Sequence, residues 1–183
     1  MCFSSGTSFA MAALLTAGGC VSLLKAFQGN SRYIPMAFMP VAVGIQQGLE
    51  GVVWLGKEAG SDFSVTVPAL LYMFFVWVFW PVWIANMAGA VEPNPQRRKA
   101  ISYAMFFGLV FGVFIYQPIW LNLEGFRVDV IGHSLAYRFH TLPEYFVDRR
   151  VINVIYLLFV VGPLFLSTHA HLRFFSLLLA AFV

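Results

Sequence analysis

The run Val65–Ala88, VTVPALLYMFFVWVFWPVWIANMA, contains no Asp, Glu, Lys or Arg and is crowded with bulky apolar side chains. As a helix rising about 1.5 Å per residue it reaches about 36 Å, enough to cross the roughly 30 Å hydrocarbon core of a bilayer. Outward from it, Ser8–Leu24, Tyr33–Gly56, Ile101–Leu121 and Val151–Ala170 read as four more spans. Leu172–Val183 opens a sixth apolar run of about 18 Å, too short to cross, so it either continues in a longer chain or ends inside the bilayer against a partner. The expected fold class is all-α: a polytopic transmembrane helical bundle forming one domain over residues 1–183, with five full spans and a truncated sixth.

Composition supports this reading. The 183 residues are 60% hydrophobic and only 10% charged, with a mean hydropathy of +0.79, whereas a soluble domain carries about 25% charged residues. A net charge of +3 would suggest nucleic acid in a soluble protein. Here the basic residues sit in short connections between apolar runs, which is the pattern of topology signals. Lys25 and Arg32, then Arg97, Arg98 and Lys99, then Arg173 occupy alternate connections. The positive-inside rule puts these in the cytoplasm and the amino terminus outside, although Arg149 and Arg150 pull the other way. Pro40, Pro68, Pro81, Pro118 and Pro163 lie inside the runs, where membrane helices tolerate them.

The outer segment 122–150 is the only part with soluble-type patterning. Arg127–Ile131 and Leu135–Phe139 read as two short extended stretches around Gly132, His133 and Ser134, a hairpin placed to act as a lid.

Glu50 is the sharpest chemical feature. An ionisable residue inside a span costs about 2.5 to 3.5 kcal/mol on insertion scales and normally faces the bundle interior or a cavity. Gln46 lies one helical turn below it, Gln47 three residues away and Trp54 one turn above, so Glu50 crowns a polar stripe. Tyr116 and Gln117 complete an intramembrane polar cluster, whose plainest role is to tie helices together. Cys2, Glu50, His133 and His140 offer thiolate, carboxylate and imidazole near the same outer face, a ligand set suited to zinc or copper, although no spaced metal motif is present. His169 and His171 lie at the opposite end and could each ligate a haem or pigment. Being two apart, they point to opposite sides of a helix and are otherwise interfacial histidines beside Arg173.

Gly44 and Gly48 form a GxxxG extended by Gly51, which marks the second span as a packing element. Trp77, Trp80 and Trp83, at intervals of three, and Phe106, Phe107, Phe111 and Phe114 suit lipid contact first, then pigment or another subunit. No GxSxG, P-loop, Rossmann or kinase signature occurs.

The opening Met1-Cys2-Phe3-Ser4, Gln47-x-x-Glu50-Gly51 with Val53-Trp54, Phe79-Trp80-Pro81 and the Gly132-His133 to Tyr137 segment together resemble an uncharacterised bacterial family of multi-pass membrane proteins beginning MCFS. The resemblance covers essentially the whole chain. It maps motif residues onto Cys2, Gln47, Glu50, Trp54, Trp80 and His133 and implies a longer chain, but it implies no activity.

Two functions follow as expectations. The first is a non-catalytic accessory subunit of a larger bacterial membrane complex, respiratory or photosynthetic, with lipids and other subunits as partners and no nucleic acid. The second is a small metal-dependent enzyme or sensor built on Cys2, Glu50 and His133. A proton or small-solute channel at Glu50 is a third class.

Overall fold

The computed structural model describes residues 4–139 and 148–182. Among the described residues, five helical stretches are long and apolar enough to cross a membrane: Ser5–Gln28, Ser31–Glu58, Ser64–Val91, Pro95–Leu121 and Arg149–Leu166. The chain is a multi-pass helical membrane protein. Its helices are α1 (Ser5–Gln28), α2 (Ile34–Glu58), α3 (Asp62–Phe74), α4 (Trp80–Val91), α5 (Pro95–Leu121), α6 (Arg149–Leu166) and α7 (Ala170–Phe182), with strands β1 (Arg127–Ile131) and β2 (Ser134–Arg138). The described chain divides into two compact units, residues 4–75 with 119–139, and residues 76–118 with 148–182.

In the first unit α1 lies against α2 through small residues. Ser4 caps α1 by accepting from the Thr7 N–H at 3.3 Å, and the buried residues of α1 are Ser8, Gly19 and Ala26. A side chain at Gly19 would strike the Val41 backbone, one at Gly44 the hydroxyl of Thr16 and the carbonyl of Ala12, and one at Gly51 the ring of Phe9. These glycines let the two backbones meet closely, which drives helix association where lipid removes the hydrophobic effect. Gly48 does not share that role, because a Cβ there would make only an ordinary contact, 3.9 Å from Ala12. The close pair is thus Gly44 and Gly51, two turns apart on one face, rather than the GxxxG itself. Ser5 Oγ donates to Glu58 at 3.3 Å and ties the start of α1 to the end of α2.

The end of α2 is set by Gly60, at φ +65°. The Ser61 N–H donates to the Gly56 carbonyl at 3.0 Å and the Gly60 N–H to the Lys57 carbonyl at 3.2 Å. This is the Schellman pattern, in which a left-handed residue satisfies carbonyls that the helix leaves open. Gly56 then allows α3 to start tightly against α2, since a Cβ there would sit 2.8 Å from Val65 Cγ2.

The hairpin is present one residue earlier than the sequence suggests on its second arm: Ser134 pairs with Ile131 rather than lying in the turn. Gly132 has φ +61° and His133 has no positive φ, the signature of a type II′ turn, which matches the twist of paired strands. Alternation places Phe126, Val128, Tyr137 and Phe139 on one face. Phe126, Val128 and Phe139 are buried.

The third span passes from the first unit into the second and is not α-helical throughout. Pro81 has no N–H to return to Trp77, and the chain widens into a π turn over Phe75–Phe79 before α4 begins. Trp77 and Trp80 are buried rather than lipid-facing, because Trp77 meets Tyr156 of α6 edge-on at 5.2 Å. Trp83 stacks on Phe79 at 5.3 Å. Phe106, Phe107 and Phe114 of α5 do face outward, while Phe111 meets Phe159 at 5.5 Å. α7 has 13 described residues, about 20 Å.

Candidate functional site

The first unit places an acid under the hairpin. Glu50 is only 2% exposed and Gln46 8%, and the Gln47 amide donates to the Glu50 carboxylate at 3.2 Å. Both glutamines lie on α2 within one turn of the acid. From β2, Tyr137 lays its ring flat on Tyr72 of α3, with centroids 4.9 Å apart and planes 7° from parallel. Among the described residues the Tyr137 hydroxyl is buried with no hydrogen-bond partner. Burial first, then the neighbouring Tyr72 and the charge of Glu50, push the Tyr137 phenol above its ordinary range, so it stays protonated. The field of Glu50 therefore reaches the hydroxyl, and the site combines a carboxylate, an amide and a neutral phenol.

The other expected residues are placed as follows. Tyr116 and Gln117 lie on α5 in the second unit, the first half-buried and the second exposed. His133 is exposed at the hairpin turn. Cys2 and His140 lie outside the described residues. Among the described residues no group of three or more His, Cys, Asp or Glu is arranged to hold a metal. Cys20 is an exposed free thiol on α1. His171 is exposed, whereas the Nε2 of His169 is hydrogen-bonded to the Val91 carbonyl at 3.0 Å. That nitrogen links helix ends in this arrangement instead of facing an open ligand position.

A second polar centre, not expected from the sequence, lies in the second unit. Glu92, at the end of α4, is fully buried. Its carboxylate accepts from the Asn94 N–H at 3.1 Å, the Ser167 hydroxyl at 3.0 Å, the Thr168 N–H at 2.7 Å and the Thr168 hydroxyl. Burial alone would raise its pKa, but the bonds from Thr168, Asn94 and Ser167 outweigh it and hold the carboxyl at about 2. The Glu92 carbonyl in turn accepts from Arg98 Nε at 3.0 Å, and Arg97 donates to the Leu166 carbonyl at 3.2 Å. Open carbonyls at the ends of α4 and α6 and open N–H groups before α7 are thus satisfied by one network. Its sequence trace is an acid directly after a span, in Glu92-Pro93-Asn94-Pro95, together with Ser167-Thr168-His169 between two helices.

Compared with known proteins, residues 1–183 match the model of a family described as "Family of unknown function (DUF6629)". No curated protein matches the chain, and no solved structure does.

Proposed function

The chain belongs to the DUF6629 family; because that description carries no activity, we propose from its own chemistry that it is a non-catalytic binding protein of the bacterial cytoplasmic membrane, amino terminus outside, working through the Glu50 site. The single observation behind this reading is the Tyr137 hydroxyl, buried within the electrostatic reach of Glu50 and with no partner among the described residues. An intramembrane acid costs about 2.5 to 3.5 kcal/mol on insertion scales, and an unsatisfied buried hydroxyl about 1 to 3 kcal/mol. Two such costs in one unit are worth keeping where a ligand offsets them. The occupant that fits is a small polar molecule that donates a hydrogen bond to Glu50 and accepts one from Tyr137, with the hairpin as cover.

The test is native mass measurement of the protein purified in mild detergent. A small-molecule adduct carried by the wild type and lost in Glu50→Gln supports the reading, and a wild type that carries no adduct sinks it.

A second reading, the accessory subunit of a larger membrane assembly, is favoured by α1. Few of its residues are buried, and Leu14, Leu24 and Phe27 are 62 to 70% exposed. Lipid suits that face as well. The same measurement separates the two, because a subunit carries partner chains at fixed stoichiometry.

A further inference from the structure

Where α2 ends and α3 begins, the first unit holds a cleft of about 430 Å³ that the Glu50 site does not use. Its charged lining comes from three elements: Lys57 in the last turn of α2, Glu124 in the turn before the hairpin, and Arg127 and Asp129 on β1. Val65 and Phe126 add apolar wall. Asp129 is already matched, since its carboxylate meets Arg138 at 2.7 Å. The cleft therefore presents two cations, Lys57 and Arg127, and one acid, Glu124, beside an internally paired Asp129.

We propose that this cleft binds a phosphate diester bearing a primary ammonium, in the form of a phosphoethanolamine lipid headgroup. The phosphate meets Lys57 and Arg127, and the ammonium meets Glu124. Guanidinium and ammonium are the natural partners of a phosphate, and a carboxylate accepts hydrogen bonds from N–H groups that a trimethylated ammonium lacks. Depth in the bilayer agrees. Lys57 lies in the last turn of one apolar span, Ser31–Glu58, and Ser64 opens the next, so the cleft lies at the level where spans leave hydrocarbon and headgroups begin. The same two helices expose Val52 and Leu55, and Val67 and Leu71, within the neighbouring turns, an apolar surface for acyl chains that a water-soluble phosphate compound would not need. The volume is within the range of small-ligand sites, about 300 to 1,000 Å³.

The experiment is native mass spectrometry of the intact chain in detergent with equal amounts of phosphatidylethanolamine and phosphatidylcholine, repeated with water-soluble glycerophosphoethanolamine as competitor. The wild type is expected to retain phosphatidylethanolamine about fivefold over phosphatidylcholine, the scale of one or two partly exposed charge contacts. Lys57→Gln with Arg127→Gln should lower retention of both lipids, and Glu124→Gln should erase the preference alone. The lipid ratio is read on each folded particle, so a drop in yield does not change it. Displacement by the soluble competitor assigns recognition to the headgroup alone, and resistance to it assigns recognition to the whole lipid. Equal retention of the two lipids by the wild type, or an unchanged ratio in Glu124→Gln, overturns the proposal. Glu50→Gln leaves this ratio untouched, so failure here and failure at the Glu50 site are distinguishable.

Discussion

The carboxylate of Glu92 accepts a hydrogen bond from the backbone N–H of Thr168 at 2.7 Å, joining points 76 residues apart in the chain. An anion here lies just ahead of the first turn of α7, where open N–H groups and the helix dipole favour negative charge. The same contact holds the α6–α7 corner against the end of α4.

Glu92→Ala should therefore destabilise the fold by about 3 kcal/mol, since each buried donor left without its acceptor costs about 1 to 3 kcal/mol. Glu92→Gln keeps one acceptor oxygen and should cost less. The pH dependence has a definite sign. The carboxyl falls from its ordinary 4.5 to about 2 in the folded chain, so the unfolded chain takes up the proton first. The stabilisation is complete above pH 4.5 and is lost as pH falls toward about 2. Unfolding of the detergent-solubilised protein across this range checks it, and Glu92→Gln should flatten the acid limb.

Tyr137→Phe separates an idle hydroxyl from a working one. Removing a buried O–H that has no partner among the described residues should raise the unfolding midpoint, by an amount corresponding to about 1 kcal/mol. Under the binding reading the same variant also loses the adduct that Glu50→Gln loses. A gain in stability with the adduct intact would show that the hydroxyl takes no part in binding.

The parts of this protein legible in its sequence are those in which one residue type has one physical meaning. Uncharged runs such as Val65–Ala88 have only lipid or protein interior as a home, and Glu50 stands out because its charge is out of place among them. The hairpin was visible because Gly132 marks a turn, although the register that brings Ser134 into β2 is decided by pairing. Glu92 was not legible. At the foot of a span it looks like any loop acid, and its meaning depends on Ser167 and Thr168, far along the chain. The burial of Trp77 escaped for a related reason, since helical spacing gives a stripe but not which side of it meets Tyr156. Gly44, Gly48 and Gly51 read alike in sequence, and only the partner helix distinguishes them.

The glycines on α2 follow from that distinction. Gly44→Val should separate α1 from α2 at a cost of about 1 to 3 kcal/mol, because the new side chain meets the Ala12 carbonyl and the Thr16 hydroxyl. Gly48→Ala has room and should be neutral or stabilising by up to about 1 kcal/mol, through helix propensity. Paired unfolding curves in detergent decide it, and equal losses in the two variants would contradict the assigned face.

Gly60→Ala tests the helix end. At φ +65° a Cβ is strained whatever space surrounds it, and the position carries the bonds that close α2 on the Gly56 and Lys57 carbonyls. A loss of about 1 to 2 kcal/mol is expected. Because Lys57 lies in this turn, the substitution should also weaken lipid retention at the neighbouring cleft, while an exposed change such as Leu14→Ala should affect neither.

Gly112 and Gly108, one turn apart on α5, give the sharpest contrast in the second unit. A Cβ on Gly112 would run into the backbone carbonyl of Trp77, the residue to which Pro81 returns no hydrogen bond, and would come within 3.1 Å of Val78 Cα. Backbone cannot rotate away as a side chain can, so Gly112→Ala should cost about 3 kcal/mol. A Cβ on Gly108 would lie 3.3 Å from Pro81 Cβ and 3.5 Å from the Phe159 ring, contacts that yield with a few tenths of an ångström of movement. Gly108→Ala should stay within about 1 kcal/mol of wild type. Replacing Pro81 by Ala supplies an N–H to this turn and lets the π segment relax toward α-helix, which would move the Trp77 carbonyl. Combined with Gly112→Ala it should recover part of the loss, and strict additivity of the two changes in unfolding free energy would show that the π turn and Gly112 are not coupled.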